Sequence, residues 1–251
     1  MGAWGGAIGV CPAHSCIKKM INTSKIYKMR IVFHVQANAL ENGNILDAAR
    51  KMVLASGLRV VPAKANKTWP RLSYGPAAGQ GQRTEREYLD IYLRTLTNAA
   101  DVKQRLEKAA PKGLQLLAVE RVPYPLPSVQ NLAAAARYRI QGDFSRLNVS
   151  GRKWETFSSA EHILITRRAA NGMAVTLDAA PYLVDSSVRA PDEILCTLQR
   201  VQDKWMRPEW LVAAWLGMEI PAGEDAFTLD GVYITRQCLL WRDSQGELHP
   251  L

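Results

Sequence analysis

Cysteine is scarce in this chain, with 4 residues among 251. Cys11 and Cys16 lie close together, whereas Cys196 and Cys238 lie far apart. Thiols this few and this scattered exclude a disulfide scaffold and favour a reducing, cytoplasmic setting. Cys11, His14 and Cys16 offer three soft ligands, but a zinc site also needs a fourth ligand and an ordered backbone. We therefore favour a thiol pair in a mobile tail and predict no bound metal.

A membrane-spanning stretch is also lacking. Residues 2–10 are small and apolar, but they are too few to cross a bilayer. No basic residue precedes them, and Lys18 and Lys19 come afterwards, so the pattern is not that of a secretory leader. We predict that residues 1–27 form a mobile N-terminal tail and that the protein has no membrane partner.

Catalytic motifs are absent as well. The 4 histidines are not spaced as in a metalloprotease or a catalytic triad. The stretch Gly75–Gly81 lacks the Lys-Ser/Thr pair of a P-loop, so we interpret it as a flexible hairpin loop rather than a phosphate cradle. His34 falls in a strand pattern, where a core or sheet-face residue is favoured over a general base. The sequence therefore predicts no catalytic centre and no cofactor.

What the chain does have is an ordinary apolar content and a strong positive charge. Hydrophobic residues make up 47% of the sequence, which is enough for a globular core. The formal net charge is +9, and a balance of this size favours anionic partners such as nucleic acid.

Residues 28–123 alternate between strand and helix patterns. Apolar residues recur at every second position in the strand segments and at helical spacing after Asn44 and Asn98, which can cap helices. Asp47, three residues after Asn44, gives a spacing like that of a capping box. The predicted strands are Arg30–Gln36, Leu58–Val61, Glu87–Leu93 and Leu114–Val122. The order β-α-β-β-α-β predicts a ferredoxin-like split βαβ domain.

Residues 124–251 are predicted to form a second, strand-rich α+β domain. The segment Pro123–Pro127 before it predicts a stiff, extended linker. Pro208 favours the first turn of a helix, and Trp210 and Trp215 lie on its apolar stripe as predicted core anchors. The predicted strands are Arg137–Phe144, His162–Arg168, Ala174–Asp178 and Val232–Leu240. The two halves together predict an α+β fold class.

Several short stretches match a known family in order and spacing. They are Ala55–Pro62, Trp69–Tyr74, Glu87–Ile91, Pro111–Leu114, Val122-Pro123, Arg207–Glu209 and Ile234–Arg236. Through them, residues 28–240 resemble the radical-SAM-linked proteins, a domain of unknown function. The resemblance also implies that Asp192–Arg200, whose own pattern suits either a helix or a strand, is a strand.

The resemblance implies a partner, because the family's domain is fused to, or encoded beside, cobalamin-binding radical SAM proteins. This chain lacks the Cys-x3-Cys-x2-Cys motif that holds the iron–sulfur cluster, so it is not the radical enzyme itself. We expect a non-catalytic accessory or substrate-binding protein. The chain departs from the family twice: a Ser-His-Leu-Asp stretch is here Asn44–Asp47, which keeps the aspartate but not the histidine, and a Gly-Phe-Asn-Pro loop is here Asn66–Pro70. A functional surface around Asp47 and His34 would therefore be altered.

A basic, aromatic patch gives the strongest indication of a ligand. Its residues are Lys64, Lys67, Trp69, Arg71, Arg83 and Arg86. Cations around an aromatic face in a loop suit phosphate contact combined with base stacking. We therefore predict RNA, such as tRNA, as a ligand of this patch, against the alternative of a solvated basic loop.

Two other functions remain open. One is a stand-alone RNA-binding module that has no radical SAM partner. The other is a small hydrolase or nuclease built around His34 or Asp47.

Overall fold

The computed structural model describes residues 25–36, 45–79, 82–168, 171–220 and 228–251. The predicted tail lies outside these ranges up to residue 24, with its Cys11, His14 and Cys16, and Tyr27 already belongs to the first strand. The predicted cap Asn44 also lies outside them. The helices are α1 (Ile45–Ala55), α2 (Ala99–Ala109), α3 (Val129–Leu132), α4 (Phe144–Leu147), α5 (Trp154–Ser158) and α6 (Pro208–Leu216). The strands are β1 (Tyr27–Val35), β2 (Leu72–Tyr74), β3 (Arg83–Thr84), β4 (Glu87–Leu93), β5 (Leu114–Val122), β6 (Ala133–Gly142), β7 (Leu164–Arg168), β8 (Ala174–Asp178), β9 (Leu183–Ala190), β10 (Glu193–Gln199), β11 (Val232–Arg242) and β12 (Leu248–Pro250).

The first sheet has the strand order β2-β4-β1-β5, and all its described pairings are antiparallel. Side chains at alternate positions point to one face, where they pack against buried residues of α1 and α2. This core contains Met29, Ile31, Phe33, Ala49, Met52, Val53, Leu89, Ile91, Val102 and Leu106. The predicted cap of α2 is confirmed, because the Asn98 side chain accepts a hydrogen bond from the Ala100 N–H.

The opposite face of this sheet carries buried charged groups. Arg30 Nε and Nη2 donate to the Asp90 carboxylate at 2.9 and 3.2 Å, and the Val129 N–H donates to Asp90 Oδ2 at 2.8 Å. Asp90 is fully buried, so it neutralises Arg30 and also satisfies the first turn of α3. Lys28 Nζ, on the same face, donates to the carbonyl groups of Leu126 and Pro127.

Those contacts explain why the predicted extended linker is wrong. Residues 123–127 turn back on the sheet, and the Leu126 N–H donates to the Pro123 carbonyl at 3.1 Å. The Tyr124 ring packs edge-on against Tyr92, with 6.3 Å between the ring centroids. Proline fixes φ but leaves turn geometry accessible, and the buried ammonium of Lys28 stabilises the turn through its carbonyls.

The strand predicted at Leu58–Val61 is also wrong. Only Val60 pairs with β4, opposite Leu93, and Pro62 pairs with Pro70 across a hairpin. The edge position is instead filled by β2, which pairs with β4 from Leu72 to Tyr74. Pro62 lacks an N–H group, so the first arm of the hairpin cannot continue as a ladder strand.

The second sheet has the order β12-β11-β6-β10-β9, and β3 pairs with the other part of β11. The β3–β11 pairing is parallel and joins Thr235 to Arg83 and Arg236 to Thr84. β3 lies in the first half of the chain, so it connects the two sheets directly. β7 and β8 form a separate two-stranded hairpin, as the Asn171-Gly172 turn between them favours.

The second core lies on this sheet and buries most of α6. Trp215, predicted as a core anchor, is buried and packs edge-on against Phe144 and Trp154. Trp210 is only half-buried, and the Arg167 guanidinium lies 4.8 Å from its ring centroid. α6 begins with Pro208 and ends before Gly217, whose φ of +75° is the left-handed geometry that favours glycine.

The predicted α+β class is confirmed. The ferredoxin-like assignment of residues 28–123 and the two predicted domain boundaries remain predictions. Over the described ranges, no helix combines the length and apolar character needed to span a membrane.

Candidate functional site

Trp69 stands near the end of a short hairpin at the edge of the first sheet. The Ala63 N–H donates to the Trp69 carbonyl at 2.8 Å, and the Trp69 N–H donates to the Asn66 carbonyl at 3.1 Å. The Asn66 side chain accepts from the Thr68 N–H at 3.0 Å, which fixes the tip as an Asx turn. The hairpin therefore presents Trp69 in a defined position.

Around this ring lies a surface cleft of about 350 Å³, here named the tryptophan cleft. It is lined by Arg50, Ala63, Lys64, Trp69, Pro70, Arg71, Leu72 and Tyr74. The Arg50 guanidinium lies 4.1 Å from the centroid of the Trp69 ring, which is cation–π geometry. Trp69 remains 47% exposed, so the ring keeps a large open surface despite this contact.

Neighbouring side chains fix the two guanidinium groups of the tryptophan cleft in place. Arg50 forms an ion pair of 3.5 Å with Asp47 on the same helix. The Arg71 guanidinium lies 4.2 Å from the Tyr92 ring centroid and donates to the Tyr124 hydroxyl at 3.4 Å. These contacts restrict the side chains before any ligand arrives, which lowers the entropy cost of binding.

Tyr74 closes the floor of the cleft. Its hydroxyl donates to the Leu46 carbonyl of α1 at 2.8 Å, so it ties the helix to β2. Burial raises the pKa of Tyr74 to about 12, and the phenol therefore stays neutral at physiological pH.

Only part of the sequence-predicted patch comes together here. Lys64, Trp69 and Arg71 line the cleft and Lys67 is exposed in the same hairpin. Arg83 and Arg86, which were predicted to belong to the same patch, are not among the described residues that line the cleft.

Arg83 lies on β3, where its guanidinium is 4.8 Å from the Tyr233 ring centroid, and Arg86 is exposed between β3 and β4. Their position follows from the pairing of β3 with β11, which draws this segment to the second sheet.

Of the two residues in the predicted functional surface, Asp47 and His34, only Asp47 lies beside the tryptophan cleft. Asp47 lies beside the cleft through its ion pairs with Arg50 and Lys51. His34 is on β1, partly buried and opposite Gln115 of β5, and the described lining of the cleft does not include it.

A second and larger cavity, here named the arginine cavity, has a volume of about 1040 Å³. Its wall is formed by the loop after β2, the end of α3, the segment before α6, and β11. The lining includes Pro76, Gly79, Gln82, Gln130, Asn131, Tyr138, Arg200, Asp203, Trp205, Met206, Arg207, Pro208 and Arg236. Residues 76–79 of the glycine-rich stretch, which was predicted as a flexible hairpin loop, thus form part of the wall of this cavity.

Three arginines give this cavity its character. Arg236 is 1% exposed; its Nη2 donates to Glu87 Oε1 at 2.7 Å and its Nη1 to the Pro76 carbonyl at 2.6 Å. Arg200 Nε lies 3.7 Å from Asp203 Oδ1, a carboxylate that is 93% exposed. For Arg207 no ion pair within 4.0 Å is found in the described ranges, and its Nη1 is buried without a partner.

Gly79 allows the loop to approach Arg207. A Cβ at this position would lie 2.7 Å from Gln82 Nε2 and 3.2 Å from Arg207 Nη1. A side chain there would displace the ends of both the Gln82 and the Arg207 side chains, so glycine allows the loop and the guanidinium to pack closely.

A buried carboxyl lies behind this wall. Gln82 Nε2 donates to Glu209 Oε1 at 2.6 Å, and Glu209 is 4% exposed. Burial raises the pKa of Glu209, and the hydrogen bond from Gln82 and the nearby Arg207 oppose that shift only in part. The carboxyl therefore keeps its proton to a higher pH than an exposed glutamate does.

Sequence reasoning missed this cavity although it named several of its residues. Gly75–Gly81, Arg207-Pro208 and Arg236 each drew attention for another reason, either a glycine pattern or a family resemblance. Pro76 and Arg236 meet because β3 pairs with β11, which is a contact between distant parts of the chain. The local sequence around either residue gives no sign of this pairing.

The C-terminal hairpin holds a third cluster of polar residues. Asp243, Glu247 and His249 place possible ligand atoms within 4.8 Å of one another. Asp243 already accepts from the N–H groups of Gln245 and Glu247 and pairs with His249 at 2.9 Å. Its hydrogen bond to His249 lowers the pKa of Asp243. The cluster is thus accounted for as the cap of a turn.

Comparison with known proteins identifies a family. No curated protein matches the chain. Residues 67–208, more than half of the 251, match a bacterial family described as uncharacterized protein conserved in bacteria (DUF2344). The match begins in the Trp69 hairpin and ends at Pro208, so it includes most residues of the arginine cavity but not Arg236. The chain therefore belongs to the DUF2344 family of proteins conserved in bacteria.

Proposed function

We propose that this protein is a non-catalytic accessory protein that binds RNA at the tryptophan cleft on behalf of a radical SAM enzyme in the cytoplasm. The observation that carries the RNA part is the exposed Trp69 ring flanked by Arg50, Lys64 and Arg71. An open aromatic ring stacks on a nucleobase, and cations beside it neutralise the adjoining phosphates.

Single-stranded RNA fits this cleft better than a duplex. Base stacking on a side chain requires an unpaired base, which a duplex does not offer. Trp69 is 47% exposed, and a flexible strand could splay one base onto it. The net charge of +9 adds a long-range attraction for a polyanion.

The partner enzyme is proposed from the resemblance to radical-SAM-linked proteins. The 251 residues contain no Cys-x3-Cys-x2-Cys motif, so an iron–sulfur cluster would have to be held outside them. A stand-alone RNA-binding module remains the alternative. Capture of a radical SAM protein by the tagged protein from its native cells would support the accessory function, whereas capture of RNA alone would support the module.

The RNA proposal is tested by the salt dependence of binding to a fluorescent tRNA pool. We expect Lys64→Ala/Lys67→Ala to weaken binding and to lower the slope of log K against log salt by roughly 1.4, because two phosphate contacts are lost. Trp69→Ala should cost about 1–3 kcal/mol of binding with an unchanged slope, since stacking releases no counterions. Arg71 is left in place because it contacts Tyr92 and Tyr124.

A matched control removes two exposed lysines elsewhere. Lys108 and Lys112 lie at and beyond the end of α2, and Lys108→Ala/Lys112→Ala changes the net charge equally. Equal losses in both lysine pairs would mean that the attraction is diffuse and not centred on the cleft. Absence of binding in the wild type at low salt would refute the RNA function.

A further inference from the structure

The arginine cavity has the dimensions of a small-molecule site. Its volume of about 1040 Å³ is close to the upper limit of the roughly 300–1,000 Å³ typical of ligand pockets. Its lining shares no residue with the tryptophan cleft among the described residues. What it binds can therefore be considered independently of the proposed RNA contact.

Unsatisfied donors in its wall indicate the charge of the ligand. Arg236 is 1% exposed, yet its Nε has no hydrogen-bond partner in the part of the chain that the structure describes. Arg207 Nη1 is also buried without a hydrogen-bond partner, and within the described ranges Arg207 forms no ion pair. Buried guanidinium donors without partners are costly, and an anionic acceptor in the cavity would remove that cost.

Helix α6 adds a second source of positive potential. Arg207 is its N-cap residue and Pro208 is its first residue, and both line the cavity. The Arg207 side chain makes no capping bond, and the carboxyl of Glu209 in the first turn is held by Gln82. The N-terminal end of the helix dipole therefore adds positive potential to this wall of the cavity. Phosphate groups bind readily at such ends.

The remaining walls suit a flat heterocycle. Trp205 is half-buried and Met206 is buried, and both line the cavity. An aromatic ring and a thioether offer a stacking surface for a nucleobase. Gln130 and Asn131 also line the cavity, and their amides carry the donors and acceptors that read a base edge.

From this combination we infer that the arginine cavity binds a nucleoside monophosphate. The phosphate is held by Arg207 and Arg200 at the N-terminus of α6, and the base lies against Trp205. Arg236 serves as a buried donor in the floor, fixed by Glu87.

The test is calorimetric titration of the full-length protein with AMP, GMP, CMP and UMP, and with the matching nucleosides and inorganic phosphate. We expect at least one nucleotide to bind with a submillimolar Kd. Its nucleoside and inorganic phosphate should each bind about tenfold more weakly or worse, because each keeps only one of the two sets of contacts.

Arg207→Gln should weaken nucleotide binding about tenfold or more, since it removes a charge-assisted contact. The control is Arg189→Gln, an exposed arginine on β9 outside the cavity, which should leave the Kd unchanged. If Arg207→Gln does not fold by circular dichroism, Arg200→Gln takes its place with the same expectation. Failure of all four nucleotides to bind, or equal losses in the cavity and control variants, would overturn the inference.

A final comparison identifies the source of the nucleotide. A short 5′-phosphorylated RNA is titrated against its 5′-hydroxyl form in the Trp69→Ala background. Tighter binding of the phosphorylated form would assign the cavity to an RNA end, and binding of free nucleotides alone would assign it to a small metabolite. Because Trp69 is absent from this background, failure of the tryptophan cleft to bind RNA cannot produce either result.

Discussion

Replacing Asp90 by Asn should destabilise the protein severely. Asp90 Oδ2 accepts hydrogen bonds from Arg30 Nη2 at 3.2 Å and from the Val129 N–H at 2.8 Å. Asparagine has only one accepting oxygen, so in either orientation its amide nitrogen would face at least one of these N–H donors. The Arg30 guanidinium, 7% exposed, would also lose its only described ion-pair partner. The change keeps the size of the side chain, so the effect reports on charge and hydrogen bonding.

The expected loss is about 3–5 kcal/mol of unfolding free energy, the cost of leaving one member of a buried pair uncompensated. That is a large part of the roughly 5–15 kcal/mol available to a typical protein. With a urea m-value of about 3 kcal/mol/M, the unfolding midpoint should fall by about 1–2 M. Equilibrium urea unfolding followed by circular dichroism measures this shift.

Two further variants make the result decisive. Arg30→Met/Asp90→Asn removes both charges, and it should recover most of the loss because the pair contributes little beyond compensating its own burial. Asp203→Asn breaks the exposed pair with Arg200 and should cost less than about 1 kcal/mol. If Asp90→Asn costs no more than Asp203→Asn, the buried pair does not hold the turn and α3 against the first sheet.

Two other predictions concern α6. Burial raises the pKa of Glu209 above its ordinary 4.5, so the stability associated with its protonated form is full below that value and is lost as pH rises through the folded-state pKa. Relative to Glu209→Gln, the wild type should therefore lose unfolding free energy steadily from acidic to neutral pH, as measured by urea titrations. A pH-independent difference between the two proteins would contradict this. Gly217→Ala should cost about 1–2 kcal/mol of unfolding free energy because φ is +75°. It should cost more than Gly172→Ala, because of these two positions only 217 would bring the new Cβ against a neighbour, Ser150 Cβ at 3.2 Å. Equal shifts of the thermal unfolding midpoint in the two variants would show that this contact relaxes.

Local signals explain which parts of the fold were predictable. β4 and β5 have the predicted bounds, because alternation over seven to nine residues is a strong signal. Asn98 and Pro208 marked the starts of α2 and α6 through capping and proline chemistry, which depend only on neighbouring residues.

The errors arose where distant residues decide the structure. β2 is three residues long, too short for a periodic signal, and it takes the edge position that Leu58–Val61 was expected to fill. The Pro123–Pro127 turn depends on Lys28, about a hundred positions earlier in the chain. Polar alternation in β1 and β4 gave no warning that Lys28, Arg30 and Asp90 are buried, since charged residues usually face solvent.

The candidate sites divide in the same manner. The tryptophan cleft could be anticipated because Lys64, Trp69 and Arg71 are close in the sequence. Arg50, which stacks on Trp69, comes from a separate helix and was not anticipated. The arginine cavity is assembled from segments that only the tertiary structure unites.

The parallel pairing of β3 with β11 sets the order in which the two candidate sites can form during translation. Glu87 and Arg236 are separated by 149 positions, so at about 5–20 residues per second a ribosome needs roughly 7–30 s to deliver the second after the first. During that interval Glu87 has no guanidinium to bury against, and the glycine-rich loop has no floor beneath it. A nascent chain can therefore build the tryptophan cleft well before it can build the arginine cavity. A stop codon ahead of β11 would leave the tryptophan cleft able to form but would prevent the arginine cavity from forming.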